Sequence, residues 1–179
     1  MRINDAGLQE ARDKLHALSN SPQTQRNYLE LALAIICLGL EVPLGKVLEL
    51  DRKGKLLLVR AGIGWSQGIT GHANVPATTT SIAGYTLGQT GVVIFVDVKD
   101  TSRFTDARLL RSHDVRGTLA IRISCKGKPW GVLTIHEQMR RRFSSQELQF
   151  LKDAALELGA LIESREAIAP HVELPRFGG

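Results

Sequence analysis

Gly64-Trp65-Ser66-Gln67-Gly68 has the G-x-S-x-G spacing of a nucleophile elbow, in which a serine is exposed where a strand turns sharply into a helix. A strand-like run precedes it, but Ile69-Thr70-Gly71-His72 and Pro76 follow, and that is loop composition. The segment therefore reads as a glycine-rich loop, and Ser66 is not assigned a catalytic role. His136-Glu137-Gln138-Met139-Arg140 begins like the zinc motif H-E-x-x-H but ends in arginine at a strand end, whereas two histidines four apart share a metal only on a helix. His72, His113 and His136 are dispersed, and no metal ligand set is assigned. Cys37 and Cys125, 88 positions apart in apolar periodic segments, read as inert core thiols. Gly62-x-Gly64-x-x-Gln67 lacks the last glycine of a dinucleotide fingerprint. No catalytic constellation is complete, so no catalytic residue is named and the expectation is a binding protein rather than an enzyme, with a structural dimerisation module or a small enzyme using Cys125 or Ser66 as nucleophile as the alternatives.

The chain that must position these residues has 179 residues, 43% hydrophobic and 23% charged, which suits one folded domain and argues against wholesale disorder. Its longest apolar run, Leu31 to Leu40, is about half of what a membrane-spanning helix needs. The N-terminus lacks the apolar stretch of a signal peptide, so the cytoplasm is the expected compartment. The net charge of +5 is local: between Arg103 and Arg142 there are ten Lys/Arg against three Asp/Glu. Arg108, Arg111, Arg116 and Arg140 to Arg142 are candidates for nucleic-acid contact. Aromatic residues are only 5% of the chain, however, and no recognition motif accompanies the arginines. The preferred reading is a solvated basic face that docks a protein partner.

The first 40 residues read as helical. Leu8, Ala11, Leu15 and Leu18 make a narrow stripe, Ser21 and Pro22 restart the helix, and Tyr28, Leu31, Leu33 and Ile35 continue it. After Pro43 the period becomes strand-like. Lys46 to Asp51 and Lys55 to Ala61 flank a turn at Gly54, and Gly62 to Pro76 reads as a long loop. Ser81 to Leu87 suggests a short helix, Val92 to Asp97 a strand and Asp106 to Ser112 another short helix. Thr118 to Cys125 and Trp130 to Glu137 form a second hairpin. Ser144 and Glu147 make a capping box for a last helix whose seam is Leu148, Leu151, Ala155, Leu158 and Ile162. The expected fold is α+β: a five- or six-stranded antiparallel sheet, terminal helices on one face, and loops and short helices forming a pocket on the other. Residues 1–21 are expected to be a helical extension, 22–165 the domain and 166–179 a flexible tail.

From about Gln25 to Glu163 the sequence resembles the GAF domain, a sensory module of bacterial signalling proteins. The resemblance rests on Leu56 to Trp65, Ser81 to Leu87, Val96-Asp97-Val98 followed by Thr101-Ser102-Arg103-Phe104, Lys126 to Leu133, and Phe143-Ser144. It implies a small-molecule pocket between sheet and loops, a homodimer through the terminal helices, and a signalling output such as a kinase, cyclase or transcriptional regulator. The cyclic-nucleotide signature Asn-Lys-x-Phe-Asp-Glu is absent, and Thr105 stands where the resemblance puts a bilin-carrying cysteine. Relatives that reduce free methionine sulfoxide need several pocket cysteines, and two core-like ones do not suffice. No cofactor is assigned. By position, the pocket candidates are Trp65, Tyr85, Thr86, Asp97, Phe104, Thr118 and His136. The alternative is that Trp65, Tyr85 and Phe104 form a small core beneath the loops. The stripes at Leu31/Ile35 and Leu151/Leu158 suit either a dimer interface or a cover for the back of the sheet.

Overall fold

The computed structural model describes residues 5–21, 25–98, 104 and 107–168. In chain order the elements are α1 (Asp5–Ser19), α2 (Gln25–Gly39), β1 (Leu44–Leu50), β2 (Leu56–Ile63), β3 (Asn74–Pro76) and α3 (Ile82–Leu87). They continue with β4 (Val93–Phe95), α4 (Ala107–Ser112), β5 (Gly117–Cys125), β6 (Lys128–Glu137) and α5 (Ser145–Ile168). The strands form one antiparallel six-stranded sheet in the order β3-β2-β1-β6-β5-β4. The α+β expectation holds. The sixth strand, β3, lies inside what the sequence presents as one long loop, because three residues paired to β2 are too few to show a period. The strand expected over Val92 to Asp97 is confined to Val93–Phe95. The restart at Ser21-Pro22 and the tail beyond Ile168 fall at or beyond the edges of the described residues.

Each face of the sheet has its own core. On one, α1, α2 and α5 bring Leu8, Leu33, Ile36, Phe150, Leu151 and Leu158 onto Val47, Leu119, Ile121, Leu133 and Ile135. Leu151 and Leu158 are fully buried there and cover the sheet, whereas Leu31 is exposed. Helix α1 contributes Leu8, Ala11 and Leu15 to this same core. On the other face, Ile82 and Ala83 of α3, Phe104, Leu110 and Val115 pack on Leu44, Leu48, Leu57, Val59 and Val132.

Two local devices set what each face presents. In β2, Leu48 pairs with Val59 but Val47 with Ala61, so Arg60 is an extra residue and the in–out alternation reverses. Ala61 thereby joins the helix-side core, while Gly62 lies against Trp65 and Thr70. At the start of α5, the Ser144 N–H donates to Glu147 Oε2 (2.6 Å) and the Glu147 N–H to Ser144 Oγ (3.2 Å), the expected capping box. Glu147 also receives Arg141, which pairs with Glu137 as well, so the end of β6 is pinned to the helix start.

Helix α5 crosses the end of β5 in backbone contact: a Cβ on Gly159 would run into the Ser124 carbonyl oxygen. Gly159→Val should therefore lower the unfolding free energy by about 2–3 kcal/mol through overpacking. The same change at exposed Ala160 should cost under about 1 kcal/mol, a helix-propensity effect. Urea unfolding of the two variants checks this.

Candidate functional site

On the face away from the terminal helices, the middle of the sheet carries polar side chains. They are Lys46 on β1, Thr118 on β5, and Thr134 and His136 on β6, none more than 3% exposed. The antiparallel register brings them together: Lys46 pairs with Thr134, and Thr118 with His136. His136 lies between two hydroxyls, with Nδ1 2.8 Å from Thr118 Oγ1 and Nε2 3.0 Å from Thr134 Oγ1. A neutral imidazole satisfies both, donating through one nitrogen and accepting at the other. Burial, reinforced by the charge of Lys46, holds its pKa well below the ordinary value of 6.5.

The β2–β3 loop roofs this floor. Gly64 begins it at φ +79°, and a Cβ there would collide with the Pro43 carbonyl, so only glycine allows the chain to turn here. Trp65 follows. Its indole N–H donates to the Gly45 carbonyl (2.8 Å), tying the loop to β1. Its ring meets His136 edge-on at 5.2 Å and His113 at 4.9 Å, and Lys46 Nζ lies 4.5 Å from its centre. Loop and α4 side are also joined directly, since Ser66 Oγ is 3.0 Å from His113 Nε2.

Of the residues singled out from the sequence, the structure brings Trp65, Thr118 and His136 into direct contact or one step from it. Tyr85 and Phe104 form a second group, their rings 6.2 Å apart, with Phe95 5.3 Å from Phe104. Because Phe95 pairs with Thr118, this aromatic group borders the first. Thr86 lies apart: it is buried and donates its hydroxyl to the Ile82 carbonyl one turn back (2.8 Å). Asp97 is also buried, and its carboxylate receives Arg116 through two bonds and Arg140 Nε at 2.8 Å. Of the expected basic face, Arg116 and Arg141 are partly buried in ion pairs with Asp97, Glu137 and Glu147, whereas Arg140 pairs with Asp97 and stays exposed. Arg111 and Arg142 are exposed.

Sequence reasoning missed Lys46, Thr134 and the Ser66–His113 contact. Lys46 carried a signal, being a charge inside the apolar strand Leu44–Leu50. Thr134 carried one only once it was paired with Lys46. Cys37 and Cys125 both belong to the helix-side core, and burial pushes their thiols up to about 12 and about 11. Neither reaches the Trp65 side of the sheet. Thr105 lies outside the described residues.

A model of the GAF domain family matches residues 23–162. No curated protein matches the sequence. Among solved structures, the chain is similar to the GAF domain of a phosphoenolpyruvate-protein phosphotransferase from Coxiella burnetii. That match has 18% identity and a TM-score of 0.83, covering 92% of this chain and 97% of the other. Similar, too, is free methionine-R-sulfoxide reductase from Neisseria meningitidis in complex with its substrate (15%, TM-score 0.77, 94% and 97% covered). A third is the phycoerythrobilin-bound GAF domain of a cyanobacterial phytochrome (16%, TM-score 0.73, 92% and 98% covered). At these identities the likeness is one of fold.

The burial of neutral His136 has a consequence for stability. Unfolding releases a histidine that takes up a proton below its ordinary pKa of 6.5, so the unfolded state gains on acidification and the folded state does not. Stability should be level above about pH 7 and fall by about 1.4 kcal/mol per pH unit below about 6 from this group alone. His136→Gln should lack that part of the slope. Urea unfolding of both proteins between pH 5 and pH 8 isolates it as a difference.

Proposed function

The chain belongs to the GAF domain family, and on that premise we propose that it is a sensory module whose chamber beneath the β2–β3 loop takes up a small molecule. The observation that carries this reading is the buried polar floor of Lys46, Thr118, Thr134 and His136. A layer needed only for stability would be apolar there, as it is beneath the terminal helices, because each buried polar group must be desolvated. Aromatic walls with a few convergent polar groups are what a small-molecule site requires. Trp65, Thr118 and His136 are the proposed contacts, with Tyr85 and Phe104 as a wall. Thr86 and Asp97 act in this reading by fixing α3 and the segment after β4.

The terminal helices pack on the back of the same sheet, and α5 touches it through Gly159. In the proposed mechanism, occupancy of the chamber changes strand positions and α5 carries the change to a signalling output, attached or separate. Leu31, Leu38 and Leu156 are exposed on α2 and α5 and provide apolar surface for a homodimer through these helices. No described helix is long and apolar enough to cross a membrane, and the cytoplasm is the proposed compartment. A structural dimerisation module with an idle pocket is the competing reading. It is favoured by the way His136, Thr118 and Thr134 satisfy one another without a ligand.

Native mass spectrometry of protein freshly purified from cells, with an absorption spectrum of the same sample, separates the two. The sensory reading expects a mass excess that is lost in Trp65→Ala and His136→Leu. A clean apo mass, with no thermal shift against a panel of common metabolites, would favour the structural module.

A further inference from the structure

We propose that Ser66 and His113 form a nucleophile–base pair at the rim of the chamber, able to hydrolyse small unhindered carboxylic esters. Ser66 lies exposed in the Gly64–Gly68 turn, and His113 comes 47 positions later, just after α4. Serine Oγ and histidine Nε2 are 3.0 Å apart, within the reach that proton abstraction needs. The Ser66 N–H also points at Nε2, at 3.3 Å. The other ring nitrogen, Nδ1, is 3.1 Å from the Leu109 carbonyl oxygen and 3.1 Å from Ser112 Oγ. Ser112 donates its own hydroxyl proton to that same carbonyl (2.9 Å).

These contacts assign the tautomer. A carbonyl only accepts, so Nδ1 carries the ring proton, and the lone pair of Nε2 is turned toward Ser66. This is the order nucleophile, base, orienter that activated serines use, with a backbone carbonyl in the orienting place. Trp65, edge-on to His113, fixes the ring from the chamber side. The turn is not followed by a helix, so it differs from a nucleophile elbow. The next residues, Gln67 and Gly68, nonetheless bring two backbone N–H groups directly after the serine. Among the described residues neither has an acceptor.

In the proposed step the Oγ proton passes to Nε2 as Oγ bonds to the ester carbonyl carbon. The carbonyl electron pair moves onto oxygen, which the Gln67 and Gly68 N–H groups receive. When the carbonyl re-forms, the carbon–alkoxy bond breaks, and the leaving oxygen takes the proton back from Nε2. Water then attacks acyl-Ser66, giving its proton through the same nitrogen and releasing the acid and free serine. This activity is independent of what the chamber binds, and either can fail without the other.

The test is labelling with a fluorophosphonate probe, mapped by peptide mass spectrometry, alongside p-nitrophenyl acetate turnover. The expected result is modification at Ser66 in folded wild-type protein, its absence in urea-unfolded protein, and loss of turnover in Ser66→Ala. In His113→Gln the amide oxygen still accepts from Ser66 but takes no proton, so a merely structural link survives it. Labelling there should fall at least about 100-fold, the scale of general-base assistance. An unlabelled Ser66 in the folded wild type overturns the proposal, as does labelling that is equally fast in His113→Gln or after unfolding. The comparison of folded with unfolded wild type needs no variant to fold.

Discussion

Lys46, Thr118, Thr134 and His136 lie at the centre of a sheet that is covered on both faces, and water must leave all four before the loops can close. That desolvation is costly unless partners stand ready. The antiparallel register supplies them, setting a hydroxyl on each side of His136 and placing Lys46 opposite Thr134. Trp65 closes the group from above because Gly64 lets the chain turn and the Gly45 carbonyl holds the indole. A bulge at Arg60 sets up this arrangement, since it puts glycine rather than a side chain beneath the ring. Register, bulge and glycine turn thus all serve the seating of four polar groups in a dry layer.

The opposite face packs mainly apolar groups, with the Tyr28 hydroxyl a buried polar exception. There Phe150, Leu151, Leu158 and Ile162 of α5 meet Leu119, Ile121, Leu133 and Ile135 without a polar atom between them. Burial of that kind stabilises by roughly 25 cal/mol per Å², and it gives the helices a fixed seat on the sheet. The helices thus sit on the strands whose other face carries the polar floor, and the α5 backbone touches β5 at Gly159. Arg141, bridging Glu137 of β6 and Glu147 of α5, ties the sheet to the other end of the helix.

Much of the fold was legible because strong local signals agreed with it. The Ser144–Glu147 capping box, the seam from Leu148 to Ile162 and the alternation of Thr118 to Cys125 each reappear in place. β3 was not legible, since three residues hold their place only through pairing with Leu56 to Leu58. The site was partly legible. Trp65, Thr118 and His136 stood out as aromatic or polar residues at loop and strand positions. Lys46 showed only as a charge in an apolar strand, and its place in the floor comes from a cross-strand partner 88 positions away. Ser66 and His113 were both noticed and kept apart, because only the tertiary fold brings a loop serine to the end of α4. The arginines read as one basic face, yet Asp97 takes both Arg116 and Arg140, and Glu137 and Glu147 share Arg141.

The most direct measurement is the ¹⁵N imidazole spectrum of His136, recorded on protein as purified and again after unfolding in urea and refolding without small molecules. If the chamber is a ligand site, His136 stays neutral from pH 7 to pH 5 in both samples, and its ring resonances differ between them. A His136 that takes up a proton over that range, with resonances unchanged by stripping, would contradict both the buried polar floor and its occupancy.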